Sequence, residues 1–398
     1  MTAMKLLIAT DHCCLRHPTG VFDIHNFDRP FMEDYRQVFN TIRVICRMAK
    51  VADLPAHAFR SDGDGVQFLD VPDVHGVNWW LGARQLTRRA VRSAVAPADA
   101  VIVRVPSQLG WLAAIRARQL GKPCLAEVLG DPLQAIKGLG HGPHYRLAAY
   151  LEARRLQNLL RHASAVCFVS QSLCHQYQPF TNGQPCEVIS DIRLDPSLIT
   201  SARAYSAPLT RLKIALVAAL HPYKRQADLI RACGQVRDQG LAVELHLAGN
   251  GPCLSSLRAL CQKLHLDEQV VFHGHITDQK ALYALLDQSD LFVMTSATEG
   301  MPRAMIEAMA RGLPVAGSKT GGLQELVRAS ELFPVGDVRA LASLIAALSR
   351  DPARLNEMSK CSLEKARGYT NDLLSARRIQ LYQYLRDIAP SPHRGNPR

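Results

Sequence analysis

Thr298-Glu-Gly-Met-Pro-Arg-Ala-Met-Ile-Glu-Ala-Met-Ala-Arg-Gly-Leu-Pro-Val315 reads as a loop, a short helix, a stop and a strand. Pro302 suits the first helical position, where a missing N–H costs nothing. Gly312 suits the stop. Between them Ala304, Met305, Ile306, Ala308, Met309 and Ala310 are apolar, and the polar side chains are Arg303, Glu307 and Arg311 at every fourth position. The pattern predicts a helix buried on most of its surface, with one polar stripe.

On either side of this stretch, apolar runs alternate with helical patterns along nearly the whole chain. Strand-like runs lie at 5–10, 101–105, 123–129 and 165–169, then at 213–218, 243–248, 270–272, 290–294, 314–316 and 332–334. Helical patterns separate them at 84–95, 111–120, 145–161, 226–236, 254–264, 279–286, 302–311 and 340–348. This alternation predicts an α/β protein with parallel sheets and crossover helices. So many strands are unusual in one sheet, so two Rossmann-like, doubly wound domains are expected to face a central cleft. Pro196 and Pro208 interrupt the pattern at 195–210, which reads as the linker. The expected units are a first domain at 1–205 and a second at 206–370. A last helix follows at 371–389, and the tail at 390–398 reads as disordered.

The 398 residues suffice for two domains and a large core, and the apolar share of 47% fits a globular protein. No apolar run reaches the ~18 residues of a membrane helix. Residues 1–10 lack the apolar core and cleavage site of a signal peptide and read as a first strand. Eleven scattered cysteines without Cys-x-x-Cys spacing suggest reduced thiols and a cytosolic setting. Fifteen histidines without ligand spacing predict no metal site. The net charge of +12 favours anionic partners, and no recognition motif points to nucleic acid.

A helix N-terminus preceded by Gly300 can hold a diphosphate through free N–H groups and the helix dipole. Backbone from Gly300 through Met301 and Pro302 to Arg303 would form the cradle. Glu307 lies five residues past Pro302, about 7–8 Å along the axis, the span from a diphosphate to a nucleoside ribose. Its carboxylate can accept from two vicinal hydroxyls. Glu299, ahead of the helix, would meet the sugar at the other end.

Two glutamates with seven residues between them in this setting resemble the signature of the retaining nucleotide-sugar glycosyltransferases of family 4. Leu247-Ala-Gly-Asn-Gly-Pro252, Val270-Val-Phe-His-Gly-His275 and Ser289-Asp-Leu-Phe-Val293 follow in that family's order. The resemblance covers about residues 212–335 well and is weaker upstream. It implies the two-domain fold called GT-B, with the last helix crossing back to the first domain. It also implies transfer from a nucleoside-diphosphate sugar, UDP-sugars favoured and GDP-mannose next, with retention at the anomeric carbon. By the same resemblance, the acceptor would be a glycan or lipid-linked hydroxyl of surface polysaccharide, lipopolysaccharide or glycolipid.

Lys224 and Arg225 follow the strand at 213–218 at a strand-to-helix turn, where cations can stabilise a leaving diphosphate. The family's usual Gly-Arg-Leu is replaced here by Ala218-Ala219-Leu220, so Arg225 or Arg303 is the candidate second cation. Gly274 and Ile276 end a strand near the expected nucleobase, while His273 and His275 read as structural or rim groups. Leu247–Pro252 reads as a strand-to-helix turn. Thr19-Gly20 is the remnant of the family's Gly-rich loop, with Gly20 the candidate donor contact. Gly130-Asp131 stands where many relatives carry a His, which makes Asp131 the third catalytic candidate beside Lys224 and Glu299. Arg104 reads as an internal ion-pair partner or an acceptor-phosphate ligand. Arg84, Arg88, Arg89 and Arg92, after Trp79-Trp80, could seat the chain on the inner face of an anionic membrane. Cofactors and metals are not expected, since cations and the helix dipole supply the positive charge. The alternatives left open are a phosphorylase or nucleotide-sugar epimerase on the same scaffold, and a non-catalytic nucleotide-sugar-binding protein.

Overall fold

Leu6, Leu7, Ile8 and Ala9 are all fully buried, and so are Val101, Ile102 and Val103. Strands apolar on both faces belong inside a parallel sheet with helices on each side. The computed structural model of the protein describes residues 4–24, 27, 29–55, 58–72, 84–137 and 142–390. It contains two such sheets.

The first domain runs β1 (Lys5–His17), β2 (Gly20–Asp23), α1 (Arg29–Arg36), β3 (Thr41–Lys50), β4 (Phe59–Arg60), β5 (Val66–Pro72), α2 (Arg84–Val95) and β6 (Ala100–Val105). It continues with α3 (Gln108–Gln119), β7 (Cys124–Val128), α4 (Pro132–Lys137), α5 (Pro143–His162), β8 (Ala165–Phe168), α6 (Gln171–Tyr177) and β9 (Cys186–Val188). The core of the sheet is parallel in the order β5-β3-β1-β6-β7-β8-β9, and β2 and β4 add an antiparallel flap to the far end of β1. The strand expected at 5–10 therefore extends to His17. A register shift between Ala9 and Cys13 lets β1 bend and keep pairing with β3, and Leu15–His17 then pair back onto β2. The Thr19-Gly20 segment is a hairpin turn of this flap, not a glycine-rich loop.

The second domain runs β10 (Arg211–Val217), α7 (Gln226–Asp238), β11 (Ala242–Ala248), α8 (Leu254–Lys263), β12 (Val270–Gly274), α9 (Gln279–Asp287) and β13 (Leu291–Met294). It ends with α10 (Arg303–Ala310), β14 (Val315–Ser318), α11 (Leu323–Leu326), β15 (Leu332–Phe333), α12 (Val338–Ser349) and α13 (Pro352–Arg367). Its six strands are all parallel in the order β12-β11-β10-β13-β14-β15. Pro302 stands one residue outside α10, at the cap, and Gly312 past its end takes φ +64°, a left-handed conformation suited to glycine.

The α10 helix is buried for a reason visible in its neighbours. Met305, Ile306, Ala308, Met309 and Ala310 belong to an apolar cluster that also holds Val169, Val128 and the rest of the first domain's core. A second cluster, around Leu212, Ile214, Leu229 and Leu245, lies inside the second domain alone. The segment between the domains is tied down rather than loose. Arg203 donates to the carbonyls of Leu286, Ser289 and Arg311, and Tyr205 N–H donates to Asn356 Oδ1 at 2.7 Å. Finally α14 (Asn371–Asp387) returns to the first domain, where Arg378 Nη1 donates to Asp34 Oδ2 at 2.6 Å. Beside it the Tyr382 ring stacks on Tyr35 at 4.6 Å.

Candidate active site at the switch of the second sheet

From β10 the chain moves outward to β11 and β12, then returns to place β13 on the other side of β10. In an open parallel sheet a ligand crevice forms at this reversal, outside the carboxyl ends of the two strands. The loops that leave β10 and β13 carry Lys224 and Glu299. Lys224 Nζ lies 2.5 Å from Glu299 Oε1, and Ser296 Oγ donates to the same oxygen at 2.5 Å. Both side chains are largely buried, at 15% and 8% exposure, so the pair is shielded from bulk water. The two loops are stitched together further on. Thr295 Oγ1 donates to the Lys224 and Arg225 carbonyls, and Ala297 N–H donates to Tyr223 O at 2.7 Å.

Three glycines decide how closely the next layer packs. A Cβ on Gly321 would lie 1.9 Å from Glu299 O, and one on Gly322 would lie 2.1 Å from Gly300 O. Either contact is far inside van der Waals distance, so the loop after β14 can press on the Glu299–Gly300 loop only because both residues lack a side chain. A Cβ on Gly300 would meet the first domain, 2.4 Å from Leu129 O at the end of β7. Gly300 is thus where the domains come within backbone contact. Gly321 and Gly322 were not read as site residues from the sequence, although a Gly pair in the loop two residues after an apolar strand is a readable signal.

Glu307 is half-buried on α10. Burial raises its carboxyl above the ordinary carboxylate range, and the Arg303 charge partly opposes that. Arg303 itself is exposed at the helix start. Arg311, the third member of the polar stripe, turns away and binds Asp287 through Nε at 2.8 Å and Nη2 at 2.6 Å. Met301 and Pro302 are buried beneath the loop. Gly274 takes φ +66° with open space beside its Cα, and its carbonyl accepts Gly249 N–H at 2.7 Å. Gly274 and Ile276 leave β12, two strands from β10 and about 10 Å away at ordinary spacing. His273 hydrogen-bonds His246 at 3.0 Å. Gly249 and Gly251 press on the Ala218 and Leu220 backbones, a turn that holds the β10 loop from beneath.

Other candidates stand apart from this group. Arg225 takes a left-handed conformation (φ 54°), and its Nε donates to Asp228 Oδ2 at 2.6 Å. Its guanidinium packs over Gly336 and points along α7. Asp131 is buried and fully engaged within its own domain. Tyr177 OH donates to Oδ1 at 2.6 Å, Gln176 Nε2 to Oδ2 at 3.1 Å, and Leu133 N–H to Oδ1 at 2.9 Å. Burial and this hydrogen bond push the Tyr177 phenol up. Gly130 beside it has open space at its Cα. Gly20 (φ +152°) has the Asp62 carboxylate and Arg60 as neighbours, and the cavity there is lined by Arg16–Gly20, Lys50 and Val51 of the first domain. Arg104 is internal, 3.4 Å from Glu127 and 3.5 Å from Asp191, with its guanidinium 4.9 Å from the Phe31 ring centre. Trp79 and Trp80 lie outside the described residues.

Glu325, on α11, is a further residue the sequence did not announce. Its carboxylate crosses the domain boundary to accept Gln171 N–H at 2.9 Å and Ser172 N–H at 2.6 Å at the start of α6. A cavity of about 710 Å³ lies between the domains beside it, lined by Val169, Gln171, Met301, Met309, Glu325 and Tyr369 among others. Lys224, Glu299 and Glu307 do not line it.

Two Rossmann-like domains, meeting over a carboxylate–lysine pair at the switch point of the second, define the GT-B architecture. Residues 200–365, most of the second domain, match the family model of glycosyl transferases group 1. CapJ of Staphylococcus aureus is 26% identical over 347 residues, spanning 86% of this chain and 85% of CapJ. The amylovoran biosynthesis glycosyltransferase AmsK of Erwinia amylovora is 34% identical over 151 residues, 36% of this chain and 37% of AmsK. Among solved structures, HepE of Anabaena in complex with UDP and glucose matches with a TM-score of 0.67 at 20% identity, covering 95% of this chain and 99% of HepE. Sucrose-phosphate synthase of Thermosynechococcus elongatus matches with a TM-score of 0.69 at 17% identity, covering 96% and 99%. At these identities the structural likeness establishes the fold.

Proposed function

We propose that the protein is a retaining glycosyltransferase that moves a sugar from a nucleoside diphosphate, UDP favoured, to a hydroxyl of a growing cell-surface polysaccharide. The observation that carries this reading is the Lys224–Glu299 contact of 2.5 Å at the sheet's switch point, directly ahead of α10. In this reading the diphosphate lies against the N-terminus of α10, held by free N–H groups and by Lys224. Glu299 turns from Lys224 to the donor sugar, and Glu307 accepts from the ribose hydroxyls. The anomeric C–O bond to the diphosphate breaks, and the acceptor oxygen bonds the same carbon from the same face. The acceptor proton passes to the departing phosphate oxygen. Lys224 and the helix dipole stabilise the charge that collects there, which needs no metal ion. HepE, crystallised with UDP and glucose, supports the choice of nucleotide, and AmsK, named for amylovoran biosynthesis, supports the choice of acceptor.

Thermal shift with UDP, GDP and their sugars tests the donor, since a ligand bound to the folded state raises the melting temperature. UDP is expected to stabilise most. Lys224→Ala is expected to lower kcat by about 10²–10³. Turnover within a factor of two of wild type would remove Lys224 from the reaction.

A further inference from the structure

The helices α2, α3 and α5 carry ten arginines against a single carboxylate, Glu152, so three elements hold most of the chain's +12 net charge. They are neighbours in space. Each links successive strands in one direction across the sheet, β5 to β6, β6 to β7 and β7 to β8, and right-handed crossovers put all three on one face. The α3 helix touches both α2 and α5.

The same face is apolar where it should be polar. Leu86 is 61% exposed on α2, and Leu147, Tyr150 and Leu151 are 60%, 50% and 49% exposed on α5. With Ile115 and Leu120 at α3 they make six of the eleven exposed large apolar side chains among the described residues. On α5, Leu147, Tyr150, Leu151 and Arg154 fall three, four and seven positions along, which is one stripe of a helix. A surface helix normally turns this stripe inward, whereas here it faces water. Arg154 stands 5.2 Å over the Tyr150 ring and its Nε donates to the Tyr150 hydroxyl at 2.9 Å.

We propose that the α2–α3–α5 face is a docking surface for an anionic lipid bilayer. Cations of one sign around a narrow apolar stripe match a headgroup layer, where the arginines meet phosphates and the leucines reach the acyl boundary. Nucleic acid would use the arginines and leave Leu147 and Leu151 in water. No helix among the described residues is long and apolar enough to cross a membrane, so the contact is peripheral. The placement also suits an acceptor held at a membrane. α5 begins at the carboxyl edge of the first sheet, the edge at which Leu129 meets Gly300, and Leu147–Leu151 occupy its early turns.

The test is cosedimentation of the whole chain, without sugar nucleotide, with phosphatidylcholine vesicles and with vesicles that also contain phosphatidylglycerol. Binding to the second only, released by salt, is expected. Leu147→Ser with Leu151→Ser, and separately Arg146→Glu with Arg154→Glu, should each weaken partition by at least about tenfold. All four side chains are exposed, so circular dichroism should not change. No partition at low salt, or partition that ignores both double variants, overturns the proposal. So does a dimer in sedimentation velocity that the leucine variant abolishes while vesicles go unbound, because the face would then belong to a second copy of the chain. Because the donor site takes no part, the outcome is independent of the glycosyl-transfer reading.

Discussion

At the scale of single residues, Glu307 combines two opposed demands. Burial lifts its carboxyl above the usual range, so ionisation at neutral pH destabilises the fold, whereas a ribose diol would favour the ionised form. The folded-state value is the higher one, so the stabilising effect of protonation is complete below the unfolded carboxyl's value. That effect is lost as pH rises through the folded value. Glu307→Gln is therefore expected to melt higher than wild type near pH 7, with the gap closing toward pH 4. Its affinity for UDP should fall. In wild type, UDP affinity should itself drop as pH is lowered through the Glu307 titration, and Glu307→Gln should lack that drop. Calorimetry at several pH values, beside melting curves, checks both. A variant that melts lower and binds UDP unchanged would show that Glu307 is only a helix residue. Arg225 makes the contrasting case. It is adjacent to Lys224 in sequence, but its left-handed backbone directs the side chain to Asp228.

At the scale of elements, the α10 helix was readable because its cues are local: the apolar pattern, Pro302 before it and Gly312 after it. The alternation that gave both parallel sheets is local in the same way. The β1–β2 flap was not readable, because Cys13–His17 extend the strand only by pairing with β3 and β2, which are partners chosen by the fold. Glu325 shows the same limit, since the N–H groups that donate to it lie 153 and 154 residues away. Glu325→Ala would leave two N–H groups at the start of α6 without their charged acceptor. About 1–2 kcal/mol of stability should be lost, discounted for partial exposure. Glu325→Gln, which keeps one acceptor oxygen, should recover part of it. Urea unfolding of both variants is the measurement, and equal midpoints for Ala and wild type would mean that the cross-domain bonds contribute nothing.

At the scale of the whole molecule, the chain ends its described part by returning to where it began. Arg378 and Asp34 are 10% and 4% exposed, and Tyr382 OH donates to Glu127 Oε1 at 3.0 Å. The α14 helix therefore holds the first domain through buried polar groups contributed from the far end of the sequence. Arg378→Ala removes a buried charge from Asp34, which keeps Arg193 at 3.1 Å as its remaining partner. The expected loss is about 3 kcal/mol, read from urea midpoints, with UDP affinity unchanged because the second domain is not touched. A loss under about 0.5 kcal/mol would show that α14 is held by its apolar side alone.

By itself the sequence determined what near neighbours decide: which runs become buried strands, where α10 starts and stops, and that Glu299 and Glu307 flank its N-terminal end. Periodicity, capping and the helix dipole act within a few residues, so they are written in order along the chain. The tertiary structure alone decided what distant residues do to one another. It set Lys224 against Glu299 across 75 positions, turned Asp131 inward to Tyr177, and let Gly300, Gly321 and Gly322 bring three loops into backbone contact. Such pairings depend on strand order and on how two domains approach, and both follow from burying apolar surface over the whole molecule.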